Sequence, residues 1–77
     1  MLKDPIMTTK FSTDGREINL SQVLKVAGVA DSGGGAKAMI GAGDIRVNGA
    51  VELRKRRQMT AGDVVETRAG QRIELVL

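Results

Sequence analysis

Apolar residues recur along this chain in two rhythms. Leu20, Val23, Leu24 and Ala27 fall at i, i+3, i+4 and i+7, the spacing that lines one side of a helix, while Ser21, Gln22 and Lys25 face away. Near the C-terminus Ile73, Leu75 and Leu77 alternate with Arg72, Glu74 and Val76, the period of two that places side chains on one sheet face. Helix comes first and strand later.

Punctuating residues set the boundaries. Asn19 before the first stripe, with Gln22 three residues on, reads as an N-cap with its capping-box partner, and Gly28 is a natural stop because it tolerates the left-handed conformation. Asp31-Ser32 offers a second N-cap for a helix to residue 42, with Ala36, Met39 and Ile40 on one side and Lys37 on another. Its first turn is Gly33-Gly34-Gly35, which costs helix stability about 0.8–1 kcal/mol per glycine relative to alanine. Gly43 ends it. Residues 44–53 then read as strand, Asn48-Gly49 turn and strand, since both central residues of a type I′ turn need positive φ. A turn at 60–63, a strand at 64–67, a turn at Ala69-Gly70 and a strand at 72–77 follow. Residues 1–10 show no periodicity and hold the only proline, so a flexible lead-in is expected there, with a short edge strand at 10–13 ending at Asp14-Gly15. The expected fold is α+β: two short helices packed on a small antiparallel β-sheet, in one domain spanning residues 11–77.

Composition narrows the chemistry. Ile, Val, Leu and Phe supply 20 of 77 residues, enough for one small core. With no Cys there is neither a disulfide framework nor a thiolate zinc site, and with no His the usual neutral-pH acid–base group is missing. No nucleophile has a base beside it and the carboxylates are scattered, so no catalytic residues, cofactor or metal site are expected. The N-terminus has no apolar leader pattern and no window approaches a membrane span, which implies a cytoplasmic protein.

Charge supplies the main functional lead. The net charge is +3, and Arg54-Lys55-Arg56-Arg57 carries all of the surplus: without it eight Lys and Arg stand against nine Asp and Glu. Three of the four are Arg, whose planar fork matches phosphate bidentately, and the run lies between two strands that can present it. A solvated loop with no partner is the plainer reading of such a run. Ser32-Gly33-Gly34-Gly35 followed by Lys37 lacks the ending of a nucleotide-binding P-loop, yet bare N–H groups at a helix start suit a phosphate. Tight backbone packing explains the glycines equally well. Phe11 is the only aromatic residue, so stacking platforms for single strands are absent, and a folded or duplex RNA met through shape and phosphates is favoured.

Leu20, Leu24, Gly28, Ser32, Ala36, Lys37, Ile40, Gly43, Ile45, Val47-Asn48-Gly49 and Gly62-Asp63-Val64 occur in an order that resembles the αL RNA-binding domain first seen in small-subunit ribosomal protein S4. The resemblance covers residues 18–67. Within that superfamily Ser32-Gly33-Gly34-Gly35-Ala36-Lys37 and the 51–56 segment are similar to the small stand-alone YbcJ/YaaA-like bacterial proteins, in which the domain is the whole protein. It implies a non-catalytic, monomeric binder of structured RNA, ribosomal or transfer RNA, associated with the ribosome. The implied contacts are Ser32, Lys37, Arg46 and Arg54, Lys55, Arg56 and Arg57, with Gly33 and Gly34 completing the phosphate-accepting helix start. Many members carry Arg where this chain has Asn19 and Gly33, and a cation where it has Gly41, which shifts weight onto the basic run. Pseudouridine synthases and tyrosyl-tRNA synthetases often carry the same domain, but their catalytic parts have no counterpart here. The alternative is a protein-interaction module that docks an acidic partner through the same basic loop.

Overall fold

A computed structural model describes residues 7–77. The elements run β1 (Met7–Ser12), β2 (Ile18–Asn19), α1 (Leu20–Val26), α2 (Gly33–Gly41), β3 (Ile45–Val47), β4 (Ala50–Val51), β5 (Gln58–Met59), β6 (Val64–Thr67) and β7 (Gln71–Val76). The fold is α+β, as the periodicities require: two short helices against a five-stranded sheet of order β1-β7-β6-β3-β4, with β2 and β5 forming a separate two-stranded ladder.

Both helices are bounded by the signals their sequences carry. Asn19 Oδ1 accepts from the Gln22 N–H and Gln22 Oε1 accepts from the Asn19 N–H, each at 2.9 Å, completing a capping box. At the far end of α1, Gly28 at φ +80° donates to the Lys25 carbonyl while the Val29 N–H reaches Leu24, a Schellman closure. Gly43 and Asp44 repeat it on Ile40 and Met39 to close α2. The two helices thus turn back on each other with their apolar stripes facing the sheet.

The core lies between these layers. Leu20, Val23 and Leu24 of α1, Ala36 and Ile40 of α2, and Ile45, Val47, Val65, Ile73 and Leu75 of the sheet are buried together with Met59 and Ala30. Each fully buried branched side chain contributes about 1.5–3 kcal/mol relative to exposure. Strand alternation follows: Arg46, Glu66 and Arg72 stand in register on the opposite, outer face.

Three expectations change. The sheet is mixed rather than wholly antiparallel, because β1 pairs parallel with β7, Met7 opposite Gln71 through Ser12 opposite Val76. Strand therefore begins at Met7, inside the 1–10 span expected as a lead-in; residues 1–6 of that span lie outside the described residues. Thr8, Thr9 and Phe11 favour extended backbone, and Phe11 packs against the core, which outweighs the lack of apolar periodicity. Leu77 does not continue the Ile73 and Leu75 face: it lies past the end of β7 and is 81% exposed.

Candidate nucleic-acid interface

The basic run is not a free loop. Where β5 pairs with β2, Ile18 lies opposite Met59 and Asn19 opposite Gln58, so the end of the run is laced to the strand that leads into α1. The Arg57 carbonyl accepts from the Leu20 N–H at 3.0 Å and the Lys55 carbonyl from the Ser21 N–H at 3.1 Å. These are N–H groups that an α-helix cannot satisfy within its own first turn. The loop thus caps α1, and its path is set by backbone bonds.

The four cations have different surroundings. Arg57 is only 24% exposed: its Nε lies 3.2 Å from Glu52 Oε1, its Nη1 lies 3.2 Å from Asp63 Oδ2, and Nη1 also contacts Met59 Sδ. Arg54 faces the same Glu52 as a two-pronged fork, Nε to Oε2 at 2.9 Å and Nη2 to Oε1 at 3.0 Å, but stays 75% exposed. Lys55 and Arg56 are exposed and, among the described residues, have no carboxylate within ion-pair distance. The fixed charges are Arg54 and Arg57; the available ones are Lys55 and Arg56.

Glu52 and Asp63 form the acidic centre of this network. Side-chain hydrogen bonds from Arg54, with the Arg54 backbone N–H next, hold the Glu52 carboxyl down at about 2. Burial pushes the Asp63 carboxyl up, but hydrogen bonds from Asn48, the Thr60 N–H and Arg57 more than offset it and leave it below the usual carboxylate range. Asn48 has a double role. Its left-handed backbone, φ +53°, with Gly49 at +89°, makes the hairpin turn, and its side chain donates to Asp63 Oδ1 at 3.0 Å and accepts from the Val64 N–H at 2.9 Å. The Asn-Gly and Gly-Asp-Val motifs are therefore two halves of one polar knot, and Arg57 ties that knot to the basic loop.

The candidate contacts separate into three places. Lys37 lines a shallow groove of about 500 Å³ with Ile40, Gly41, Leu53, Arg54, Lys55 and Arg56, so α2 and the basic loop form its two walls. Ser32, Gly33 and Gly34 lie at the start of α2, beyond Lys37, and do not line that groove. The Ser32 hydroxyl is engaged as the N-cap, accepting from the Gly35 N–H at 3.1 Å. A Cβ at Gly33 would meet nothing within 4 Å, and one at Gly34 only Ser32 Oγ at 3.9 Å. Close packing accordingly does not account for these two glycines. Arg46 stands elsewhere, on the outer sheet face opposite Val51 and Glu66, in a polar depression with Asp44 and Arg68.

Sequence reasoning missed Leu53, Glu52 and Asp63 as parts of this region, whereas the resemblance marks Gly41 as a position where many members carry a cation. An acidic residue two positions before a basic run was the available signal for Glu52. Leu53, 62% exposed at the end of an apparent hairpin strand, gave none.

Comparison with known proteins agrees with this architecture. The S4 domain family matches residues 11–76. YbcJ of Escherichia coli (strain K12) is 41% identical over 59 residues, covering 77% of this chain and 83% of that protein. A Bacillus subtilis (strain 168) protein, named Probable ribosome maturation protein RlbA, is 40% identical over 60 residues, 78% of this chain and 84% of its own. The solution structure of E. coli YbcJ, described as revealing an αL motif involved in RNA-binding, superposes with a TM-score of 0.73 at 35% identity, covering 100% of this chain and 98% of that one.

Proposed function

Since the chain belongs to the S4 domain family, we propose that it binds structured RNA without catalysing a reaction on it. The observation that carries this reading is the groove between α2 and the basic loop, where Lys37, Lys55 and Arg56 converge around a shallow, open surface. Cations on two rigid elements meet phosphates at a preset spacing, which suits a folded RNA whose backbone geometry is equally preset. The E. coli relative's RNA-binding motif and the B. subtilis relative's name support RNA of the ribosome as the target. On this reading the protein acts in the cytoplasm as a monomer. Ser32, Gly33 and Gly34 extend the contact surface along α2, their open N-terminal backbone accepting a further phosphate. Arg46, on the outer face, is left out of this surface.

With three cations neutralising phosphates, log affinity falls with log salt at a slope of roughly −2 to −3. Titration of a fluorescent ribosomal RNA fragment at several salt concentrations measures it. The Lys37→Ala, Lys55→Ala, Arg56→Ala variant, folded by circular dichroism, binds the same fragment at least tenfold more weakly; unchanged affinity and slope refute the assignment.

A further inference from the structure

The groove beside the basic loop has a composition that phosphate binding alone does not explain. Leu53 is 62% exposed on one wall, Ile40 lies beneath, and Gly41 contributes no side chain, so the interior is apolar while Lys37, Lys55 and Arg56 stand at its edges. Arg54 adds a particular surface. Glu52 takes its Nε and Nη2 in a fork, which spends donors that would grip a phosphate and holds the guanidinium plane in one orientation. The Arg54 side chain nevertheless stays 75% exposed and lines the groove. A pinned, planar cation is a stacking surface for a base.

We propose, building on the RNA-binding reading above, that this groove holds one unpaired nucleotide of the RNA. Its base stacks on the Arg54 guanidinium beside Leu53, and its flanking phosphates meet Lys37, Lys55 and Arg56. The groove volume of about 500 Å³ suits a group of that size, as ligand clefts span roughly 300–1,000 Å³. In a chain whose one aromatic residue, Phe11, packs against the core, Arg54 takes the place of the aromatic platform. The charge pattern selects the occupant: an apolar floor ringed by cations fits a base with its phosphates. Glu52, the acid at this wall, is already neutralised by Arg54 and Arg57. The protein thereby prefers RNA with a bulge or a junction over continuous duplex.

The test compares an RNA hairpin carrying a single bulged adenosine with the same hairpin fully paired. Wild-type protein binds the bulged form about tenfold more tightly, in line with the contribution of one stacked base. Arg54→Lys keeps the charge and loses the plane, and it erases the preference for the bulged form. Leu53→Ser reduces the preference in the same direction. Equal wild-type affinity for the two hairpins overturns the proposal and leaves RNA binding standing, as does an Arg54→Lys variant that weakens both equally. Failure to bind either hairpin overturns the proposal together with the reading on which it rests.

Discussion

The basic loop and the glycine-rich start of α2 are both phosphate-binding candidates by composition, yet they are built in opposite ways. In the loop, two of four cations are consumed by Glu52 and Asp63, and two carbonyls are consumed by the first N–H groups of α1. At the start of α2 almost nothing is consumed: Ser32 makes a single cap, the space over Gly33 is empty, and over Gly34 only the Ser32 hydroxyl comes within 4 Å. Adjacent residues make the contrast sharpest, since Arg57 is held between two carboxylates while Arg56 touches none among the described residues. A run of like charges is thus half architecture and half available surface. The glycines keep their surface at a cost in helix stability.

The strongest way to break this contrast is to remove Arg57. Arg57→Ala leaves Glu52 and Asp63, whose side chains are only 13% and 14% exposed, without their shared cation. It costs about 2 kcal/mol, below the 3–5 kcal/mol of a fully buried pair because the network is partly hydrated. Urea unfolding measures this, and Arg56→Ala, as the control, stays within about 0.5 kcal/mol of wild type. The same network sets an acid limit. Glu52 is held at about 2, below its unfolded value of 4.5, so its contribution is fully present above the unfolded value and is lost as pH falls from there towards 2. Asp63, also held low, adds in the same direction. Stability followed by urea midpoint is therefore flat in this respect above about pH 5 and declines below it, and Glu52→Gln removes much of the decline.

A smaller effect separates binding from folding in the loop. The Lys55→Ala, Arg56→Ala variant unfolds as wild type does but loses on the order of tenfold in RNA affinity, and its salt slope becomes shallower by about 2. The smallest change falls at α2. Gly34→Ala has room for its Cβ and stabilises the protein by about 0.4–1 kcal/mol. If the open helix start receives a phosphate, the same substitution weakens RNA binding; if affinity is unchanged, Ser32, Gly33 and Gly34 leave the interface and the groove stands alone.

Much of the fold is legible because its signals act over a few residues. The Asn19 and Gln22 box, the glycine closures at Gly28 and Gly43 and the Asn48-Gly49 turn each specify a backbone conformation from within their own segment. The residue order was enough to suggest the family, and Lys37 does meet Arg54, Lys55 and Arg56 in one groove. The roles within that groove were not legible. Each cation in the run has the same formal charge, and whether it is spent depends on carboxylates brought up by other segments.

By itself, then, the sequence determined the helix limits, the hairpin, the apolar faces and the place of the positive charge, all of them consequences of local conformational preference and periodicity. Tertiary structure alone decided the parallel pairing of β1 with β7, the sending of Arg46 to the far side of the sheet, the pinning of Arg54 and Arg57, and the opening of Leu53 beside Lys37. Each of these rests on contacts between segments separated along the chain, or on the direction a side chain takes when the layers close. Energies of that kind appear only once the chain has packed.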